Sequence, residues 1–220
     1  MKKSVLFLFC ILSAAVAFGQ NAQIKVQYKT TSPFWMTPGE TSSTTMLLLS
    51  GPEYSRYFNT MSQYVDSMTS IPEGKKQLQE IQMKAWVTQN PDGSISVNMN
   101  KGNAPRKKVN LYVNKDIAKG VITVYDEWGM EPRVYTEPFD EMKREIVEDS
   151  TKNILGYECI LGLTDYHGRT WKAWFSPEIP VQDGPWKFHG LPGLILLAET
   201  AGVPFRFEAT GIETTDEKIP

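Results

Sequence analysis

Three side chains in the 220-residue sequence have the chemistry that nucleophilic catalysis needs. Cys159 is a candidate nucleophile, and His167 and His189 are the two histidines that could act as its base. A cysteine hydrolase needs the base within hydrogen-bonding reach of the thiol, and a third group to orient the base. Cys159 shares the apolar face of an alternating run with Tyr157 and Leu161, so the pattern favours a buried, unreactive thiol with a raised pKa.

Two carboxylates stand out by position. Glu178 lies in a Pro-Glu-Ile-Pro run, and Asp183 precedes Gly-Pro. A glycosidase-like pair needs two carboxyl groups about 5–10 Å apart across a cleft, and Glu178 could instead pair with Lys187 or Arg169. Enzymatic use of Cys159 with His189, or of Glu178 with Asp183, is therefore kept as the alternative hypothesis, and no residue is assigned a catalytic role.

No cofactor or metal is predicted. Cys159, His189 and Asp183 lack the spacing of known zinc ligands. Phosphate loops, dinucleotide-binding glycines, serine elbows and zinc helices are absent from the sequence.

The stretch from Trp171 to Glu199 holds most of these residues and is rich in proline, glycine and aromatic side chains. Gly190 and Gly193 bracket Leu191-Pro192, which predicts a rigid turn that leads into a strand buried on both faces. Such an apolar loop must be covered. Either it plugs the end of its own sheet, which is the favoured reading, or it presents aromatic side chains to a partner.

The predicted ligand- or partner-binding residues in and beside this stretch are Trp174, Glu178, Trp186, Phe188, His189 and Leu191. The residues predicted to fix the turn itself are Gly190, Pro192 and Gly193.

The motifs 156-GYEC-159, 168-GR-169, 173-AWFSPEIP-180 and 184-GPWKFHGLPGLI-195 resemble those of the GLPGLI family, exported proteins of Bacteroidetes whose function is unknown. The resemblance covers about residues 145–210. It implies export and a shared scaffold, and it implies no activity. A looser architectural likeness to periplasmic lipoprotein carriers suggests a hollow that holds an apolar ligand, although fold alone does not fix function.

The N-terminus predicts a secretory signal peptide over residues 1–19, followed by a single domain over residues 20–220. Lys2 and Lys3 precede a short apolar run, and Ala17-Phe18-Gly19 provides small residues for cleavage. The alternative, an uncleaved anchor, would need about 20 apolar residues. The predicted location is the periplasm or the extracellular space, as a soluble protein at most peripheral to the membrane.

Charge and cysteine content narrow the choice of partners. The net charge of −2 becomes −4 when Lys2 and Lys3 are removed, which argues against a nucleic-acid partner. Only Cys159 remains after cleavage, so no intrachain disulfide can form. The expected partners are an apolar small molecule, a lipid or an outer-membrane protein.

The elements that would position these residues are mostly strands. About ten alternating runs are separated by short turns, among them a hairpin around Pro91-Asp92-Gly93 and an edge strand over 143–148. A capping box at Ser50 and Glu53 and an apolar stripe predict one helix over 51–68, while 75–82 is ambiguous. The predicted fold is α+β and mostly antiparallel: a curved, half-barrel-like sheet with one main helix packed on a face.

The sequence thus predicts an exported binding module of unknown biochemical function, without catalysis. Its ligand is either an apolar small molecule or a protein partner in the cell envelope. The pattern does not identify that ligand.

Overall fold

The computed structural model describes residues 21–34, 37–99, 104–129, 131–139 and 142–220, with the Trp128 side chain left out. The predicted signal peptide, residues 1–19, lies outside these ranges. In the described part of the chain, no helix is both long and apolar enough to cross a membrane.

Strands make up most of the described chain, and two helices interrupt them. The elements in chain order are β1 (Ile24–Pro33), β2 (Thr41–Ser50), β3 (Tyr54–Phe58), α1 (Thr60–Thr69), α2 (Pro72–Trp86), β4 (Val87–Gln89), β5 (Ile95–Val97), β6 (Tyr112–Asp116), β7 (Val121–Trp128), β8 (Glu131–Pro138), β9 (Lys143–Ile154), β10 (Tyr157–Tyr166), β11 (Arg169–Ser176), β12 (Leu194–Thr200) and β13 (Arg206–Thr214).

Eleven of the strands form one antiparallel sheet in the order β8-β7-β6-β3-β2-β1-β13-β12-β11-β10-β9. Most neighbours are consecutive in sequence, as short turns require, and β1 joins the two halves by pairing with β13. The sheet is not closed, since β8 and β9 are its two edges. The edge strand predicted over 143–148 is confirmed as the start of β9.

The prediction of an α+β fold with one main helix over a half-barrel-like sheet is wrong. The fold is mostly β, and the segment 51–68 holds two different elements, β3 and the helix α1. Tyr54, Tyr57 and Phe58 fit both a helical and a strand pattern, and pairing of β3 with β2 and β6 decides in favour of the strand. Ser50 is the last residue of β2 and caps no helix.

The helix α1 begins nine residues, about two and a half helical turns, after the helix start that Ser50 would cap. Its N-cap is Asn59, whose Oδ1 accepts a hydrogen bond of 2.9 Å from the backbone N–H of Ser62. The ambiguous run 75–82 is helical and belongs to α2, which starts with Pro72 in its first turn. The predicted turn at Gly93 is confirmed, with a φ of 82°, but its strands β4 and β5 are only three residues each.

The main core lies on the face of the sheet that the loop between β11 and β12 covers. We call this loop, residues 177–193, the signature loop. Tyr28, Leu48 and Tyr57 from three adjacent strands pack in one cluster with Phe188 and Leu191 of the loop. A smaller cluster on the opposite face holds Leu47, Leu49, Phe58 and Tyr112.

The sheet bends around the signature loop far enough to bring its distant strands together. Glu137 on β8 accepts a hydrogen bond from the hydroxyl of Tyr166 on β10, and it also accepts one of 2.7 Å from Lys187 Nζ in the loop. Arg144 on β9 donates to the loop carbonyl of His189 at 2.8 Å. The result is a hollow with the signature loop inside it.

Candidate functional site

One end of the hollow is filled by the signature loop itself. Phe188 and Leu191 are 0% and 4% exposed. Gly193 must be a glycine because an added Cβ would lie 2.1 Å from the carbonyl oxygen of Ser176, and Gly190 has a left-handed φ of 76°. The loop therefore plugs its own sheet, which is the first of the two predicted roles.

A buried ion pair ties this loop to the far half of the sheet. Lys115 on β6 is fully buried, and its ammonium group donates to the carboxylate of Asp183. It also donates to the carbonyl oxygens of Gly184 at 2.7 Å and Phe188 at 2.9 Å. All three donor positions of the ammonium group are used, so Lys115 holds the loop in place and is not free for chemistry.

Asp183 is ionised and committed to this contact. Burial alone would raise the pKa of its carboxyl, but the charge and hydrogen bond of Lys115 outweigh burial and hold the pKa below its usual value. The hydroxyls of Ser50 and Ser55 also act to lower this pKa, although neither they nor Asp183 Oδ2 makes a well-formed hydrogen bond.

His189 is equally committed. Its Nδ1 lies 2.8 Å from the carbonyl oxygen of Lys187, and its Nε2 lies 2.9 Å from Arg144 Nη2. A neutral ring that donates from Nδ1 accepts from Arg144 at Nε2, and it then makes no hydrogen bond with the carbonyl oxygen of Phe139, which lies 3.1 Å from Nε2. Burial lowers the pKa of His189 to about 4, with the nearby charges of Lys115 and Arg144 adding to the shift.

The other end of the hollow is open. A cleft of about 480 Å³ lies there, walled on one side by aromatic rings of Trp171, Trp186, Phe205 and Phe207. The rings of Trp186 and Phe207 stack with an interplanar angle of 7°. We call this space the aromatic cleft, and its volume lies within the range of small-molecule sites, about 300–1,000 Å³.

Trp186 has an unusual backbone. Its φ of 52° lies in the left-handed region, which costs a non-glycine residue about 1–3 kcal/mol and recurs at functional sites. The ring is only partly buried although it contacts Trp171, Phe188 and Phe207. The signature loop therefore keeps Trp186 in an unfavourable backbone conformation, and the ring of Trp186 lines the aromatic cleft.

A polar part of the aromatic cleft lies beside Phe207, which is paired with Thr30 across β13 and β1. Five hydroxyl residues from the adjoining ends of β1 and β2 line it: Thr30, Ser32, Ser42, Ser43 and Thr44. Met46, Val109 and Leu111 form its apolar floor beside the rings, and Lys108 and Arg169 add two cations at its lining.

A cluster of ionisable residues lies behind Trp186. Glu137 accepts from Tyr166 and Lys187, and its Oε1 is 3.4 Å from Nε2 of His167. Burial would raise the pKa of Glu137, but the hydrogen bonds from Lys187 and Tyr166 and the charge of Lys187 keep it below its usual value. A carboxylate held by these donors is a weak base, and the cluster fixes Trp186, whose ring lies 5.1 Å from Lys187 Nζ.

The remaining predicted residues lie apart from this cleft. Trp174 is half-buried on β11 with Lys152 Nζ 5.5 Å from its ring, and Glu178 is exposed and accepts from the backbone N–H of Glu158 at 3.1 Å. Cys159 is fully buried, as expected, and its Sγ lies 3.7 Å from the carbonyl oxygen of Tyr157. Burial, followed by the charge of Glu178, raises the pKa of Cys159 to about 11. Pro192 is exposed at the end of the loop.

Two groups of the alternative catalytic hypothesis, His189 and Asp183, are engaged by other residues. The polar contacts of His189 go to Arg144, Lys187 and Phe139, and the carboxylate of Asp183 contacts Lys115. In the described ranges, no three His, Cys, Asp or Glu residues lie close enough together to hold a metal ion. Of the predicted binding residues, only Trp186 lines the aromatic cleft.

Sequence reasoning missed the rest of the cleft and the buried Lys115. The cleft is assembled from segments around residues 30, 44, 109, 170, 186 and 206, and no local motif joins them. The only usable signals were the run of hydroxyl residues in 41–45 and the pair of phenylalanines at 205 and 207.

Comparison with known proteins matches a family model over residues 163–197, described as a protein of unknown function (Porph_ging). The match falls inside the region of the predicted family resemblance, but the GLPGLI name is not confirmed by it. No curated protein matches the sequence.

Two solved structures of PNGF-II, in different space groups, are similar in fold with TM-scores of 0.52 and 0.53. Both share 12% sequence identity with this chain, and the alignments cover 88% of it. The chain spans only 28% of the length of those proteins. At this identity the likeness shows the fold alone, and the matched family has no described function.

Proposed function

We propose that this protein is an exported binding module that holds an apolar ligand in the aromatic cleft without reacting with it. The observation that carries the proposal is the contrast within one hollow. The signature loop fills one end, and a cleft of about 480 Å³ with aromatic walls stays open at the other. A concave site that combines aromatic side chains with polar groups able to orient a ligand is a usual form of small-molecule site.

Burial of the rings supplies the driving force. Each Å² of apolar surface removed from water contributes about 25 cal/mol, and aromatic rings add favourable geometry for flat or chain-like apolar groups. The strained backbone of Trp186 supports the same proposal, because the loop keeps this ring at the cleft wall at a cost in free energy.

The absence of catalysis is proposed from the state of the candidate groups. The thiol of Cys159 is buried with a raised pKa, Asp183 is held by Lys115, and the ring of His189 is neutral and hydrogen-bonded on both sides. None of these three residues lines the aromatic cleft. The predicted outer-membrane protein partner has no comparable support and stays a prediction.

The binding proposal is tested with phenylnaphthylamine, an uncharged dye that fluoresces in apolar sites. Thr44 faces the cleft, so Thr44→Trp fills it, and Thr45→Trp places the same residue on the opposite, exposed face of β2. We expect saturable binding to the wild type, at least about a tenfold weaker dissociation constant for Thr44→Trp, and less than about a twofold change for Thr45→Trp.

Thermal melts check that both variants fold. Equal affinities of the two variants, or no saturable binding by the wild type, would contradict the proposal. Export is tested separately by N-terminal sequencing of the protein recovered from the periplasm or medium, where cleavage after Gly19 is expected.

A further inference from the structure

We infer that the aromatic cleft selects a monomeric amphiphile with one anionic head group, which Lys108 and Arg169 bind at the cleft rim. This inference rests on the proposed binding function and adds the chemical class of the ligand. It starts from the charges that line the cleft.

Both cations lie where no carboxylate offsets them. Among the lining residues, Lys108 and Arg169 are the two charged ones, and none is Asp or Glu. In the described part of the chain, neither makes an ion pair, whereas the neighbouring Lys107 pairs with Asp66 at 2.7 Å. In a chain with a net charge of −2, this leaves a local positive potential at the cleft.

The backbone of Lys108 is fixed in place. Its N–H and that of Val109 both donate to the hydroxyl of Ser62 at 3.1 Å. Ser62 is fully buried at the start of α1, where the side chain of Asn59 accepts a hydrogen bond from its N–H. The rim position of Lys108 is therefore set by a helix N-terminus and its cap, while the side chain extends from an exposed residue.

Arg169 is held over the aromatic wall. Its guanidinium carbon lies 5.0 Å from the centre of the Phe205 ring, a cation–π arrangement. Its Nη1 reaches the carbonyl oxygen of His167 at 3.4 Å, which leaves further N–H groups available for an acidic head group. Arg169 thus connects the apolar wall with a site for negative charge.

Hydroxyl side chains of β1 and β2 add hydrogen-bond donors to the cleft. Thr30 and Thr44 are directly opposite each other in the pairing of β1 with β2, and Ser32 is opposite Ser42. Their side chains line the cleft beside Phe207, the cross-strand neighbour of Thr30. The hydroxyl of Thr30 is hydrogen-bonded to that of Tyr57, and those of Ser32, Ser42 and Thr44 can donate to anionic oxygens. Apolar rings on one side, with donors and cations at the rim, fit a molecule that is apolar at one end and acidic at the other.

A matched pair of dyes separates this inference from the binding proposal. Phenylnaphthylamine and anilinonaphthalene sulfonate share the same ring system, and only the second carries a negative charge. We expect the sulfonate to bind the wild type about tenfold more tightly than the neutral dye. This preference should shrink when the salt concentration rises from about 50 to about 500 mM, because salt screens charges at an exposed rim.

The double variant Lys108→Gln with Arg169→Gln should reduce the preference for the sulfonate over the neutral dye, measured as the ratio of their dissociation constants, about tenfold. Lys172→Gln, an exposed lysine on β11 outside the cleft, is the matched control and should change neither. Decanoate should displace the bound dye at lower concentration than decanol does.

Different results would contradict the anionic selectivity and the binding proposal. If the neutral dye binds at the cleft but the double variant and salt leave the sulfonate unaffected, the anionic selectivity is wrong and the binding proposal stands. If neither dye binds, both are wrong. If the protein instead sediments with phosphatidylglycerol vesicles in a way that the double variant abolishes, while decanoate does not compete for the dye, the ligand is a membrane surface and the monomeric amphiphile is wrong.

Discussion

The two ends of the hollow use similar residues for opposite purposes. At the filled end, Phe188 and Leu191 of the signature loop are buried in the core, and Lys115 and Asp183 form a buried pair. At the open end, Trp186 from the same loop lines the aromatic cleft beside Lys108 and Arg169. Aromatic rings and charges serve structure where the chain covers them, and they are available to a ligand where it does not.

The two roles of the signature loop also explain why its backbone is rigid. A loop that must both plug one end and present a ring at the other needs a fixed path, which Gly193 and the Lys115 contacts provide.

Removing one member of the buried pair should have the largest effect. Lys115→Met removes the partner cation of Asp183, which keeps only the N–H of Gly184 as a donor, and it removes the donor to two loop carbonyls. Breaking such a pair costs about 3–5 kcal/mol in the free energy of unfolding. Urea unfolding measures this loss. Lys119→Met, on an exposed lysine next to Asp116, is the control and should leave the unfolding midpoint unchanged.

If the two lysine variants unfolded at the same urea concentration, the filled end would not depend on the ion pair. Retention of dye binding by the Lys115→Met protein at full occupancy would show, in addition, that the two ends are independent.

Lowering the pH should destabilise the filled end of the hollow. The pKa of His189 is lowered to about 4 in the folded protein, against about 6.5 in the unfolded chain. The unfolded state binds the proton more tightly, so this stabilisation is complete above about pH 6.5 and is lost as the pH falls towards 4. The expected loss is about 3 kcal/mol in the free energy of unfolding.

Urea unfolding at a series of pH values measures how the free energy of unfolding depends on pH. His189→Gln should remove the contribution of His189 to that dependence. The same slope in both proteins would show that the His189 environment does not resist protonation, and that the filled end is more open than described.

Replacing the Trp186 ring at the open end should weaken ligand binding more than it lowers the free energy of unfolding. Trp186→Leu removes the stacked wall of the cleft and should weaken phenylnaphthylamine binding about tenfold. Trp174→Leu, a half-buried tryptophan outside the cleft, is the matched control. An equal loss of binding in both variants would mean that the dye senses general loosening of the fold.

The smallest effect is expected at Cys159. Cys159→Ala should lower the free energy of unfolding by about 1 kcal/mol and leave dye binding unchanged, because the thiol is buried away from the cleft lining. In wild-type protein lacking residues 1–19, a thiol reagent at pH 8 should react only after denaturation. Rapid reaction in the folded state would revive the cysteine-enzyme alternative.

Much of the antiparallel sheet was predictable because alternation and turn residues are local signals. The alternating run through Tyr157, Cys159 and Leu161 is confirmed as a strand, and so is the buried strand that follows Gly193, where Leu194 to Leu197 are buried. The single helix predicted over 51–68 was wrong because Tyr54, Tyr57 and Phe58 fit both the periodicity of a helix and that of a strand. Pairing with β2 and β6, which is a long-range contact, decided it.

The candidate site was predictable only in part. Trp186 was singled out because it lies in a stiff, apolar loop, but no local signal singled out Lys115. Its burial follows from the signature loop folding back onto β6, 68 residues away in sequence. The cleft likewise depends on the β1–β2 register that places Thr30 opposite Thr44, which composition and spacing do not reveal.

Paramagnetic broadening by a doxyl-labelled fatty acid locates the bound ligand, which we expect at the open end of the hollow. In a proton–nitrogen spectrum assigned by single Trp→Phe variants, the indole N–H signals of Trp171 and Trp186 should broaden first and saturably. Those of Trp86 and Trp174 should stay sharp at the same ligand concentration. Broadening of Trp174 or Trp86 ahead of Trp186, or no saturable broadening of any indole, would contradict the account.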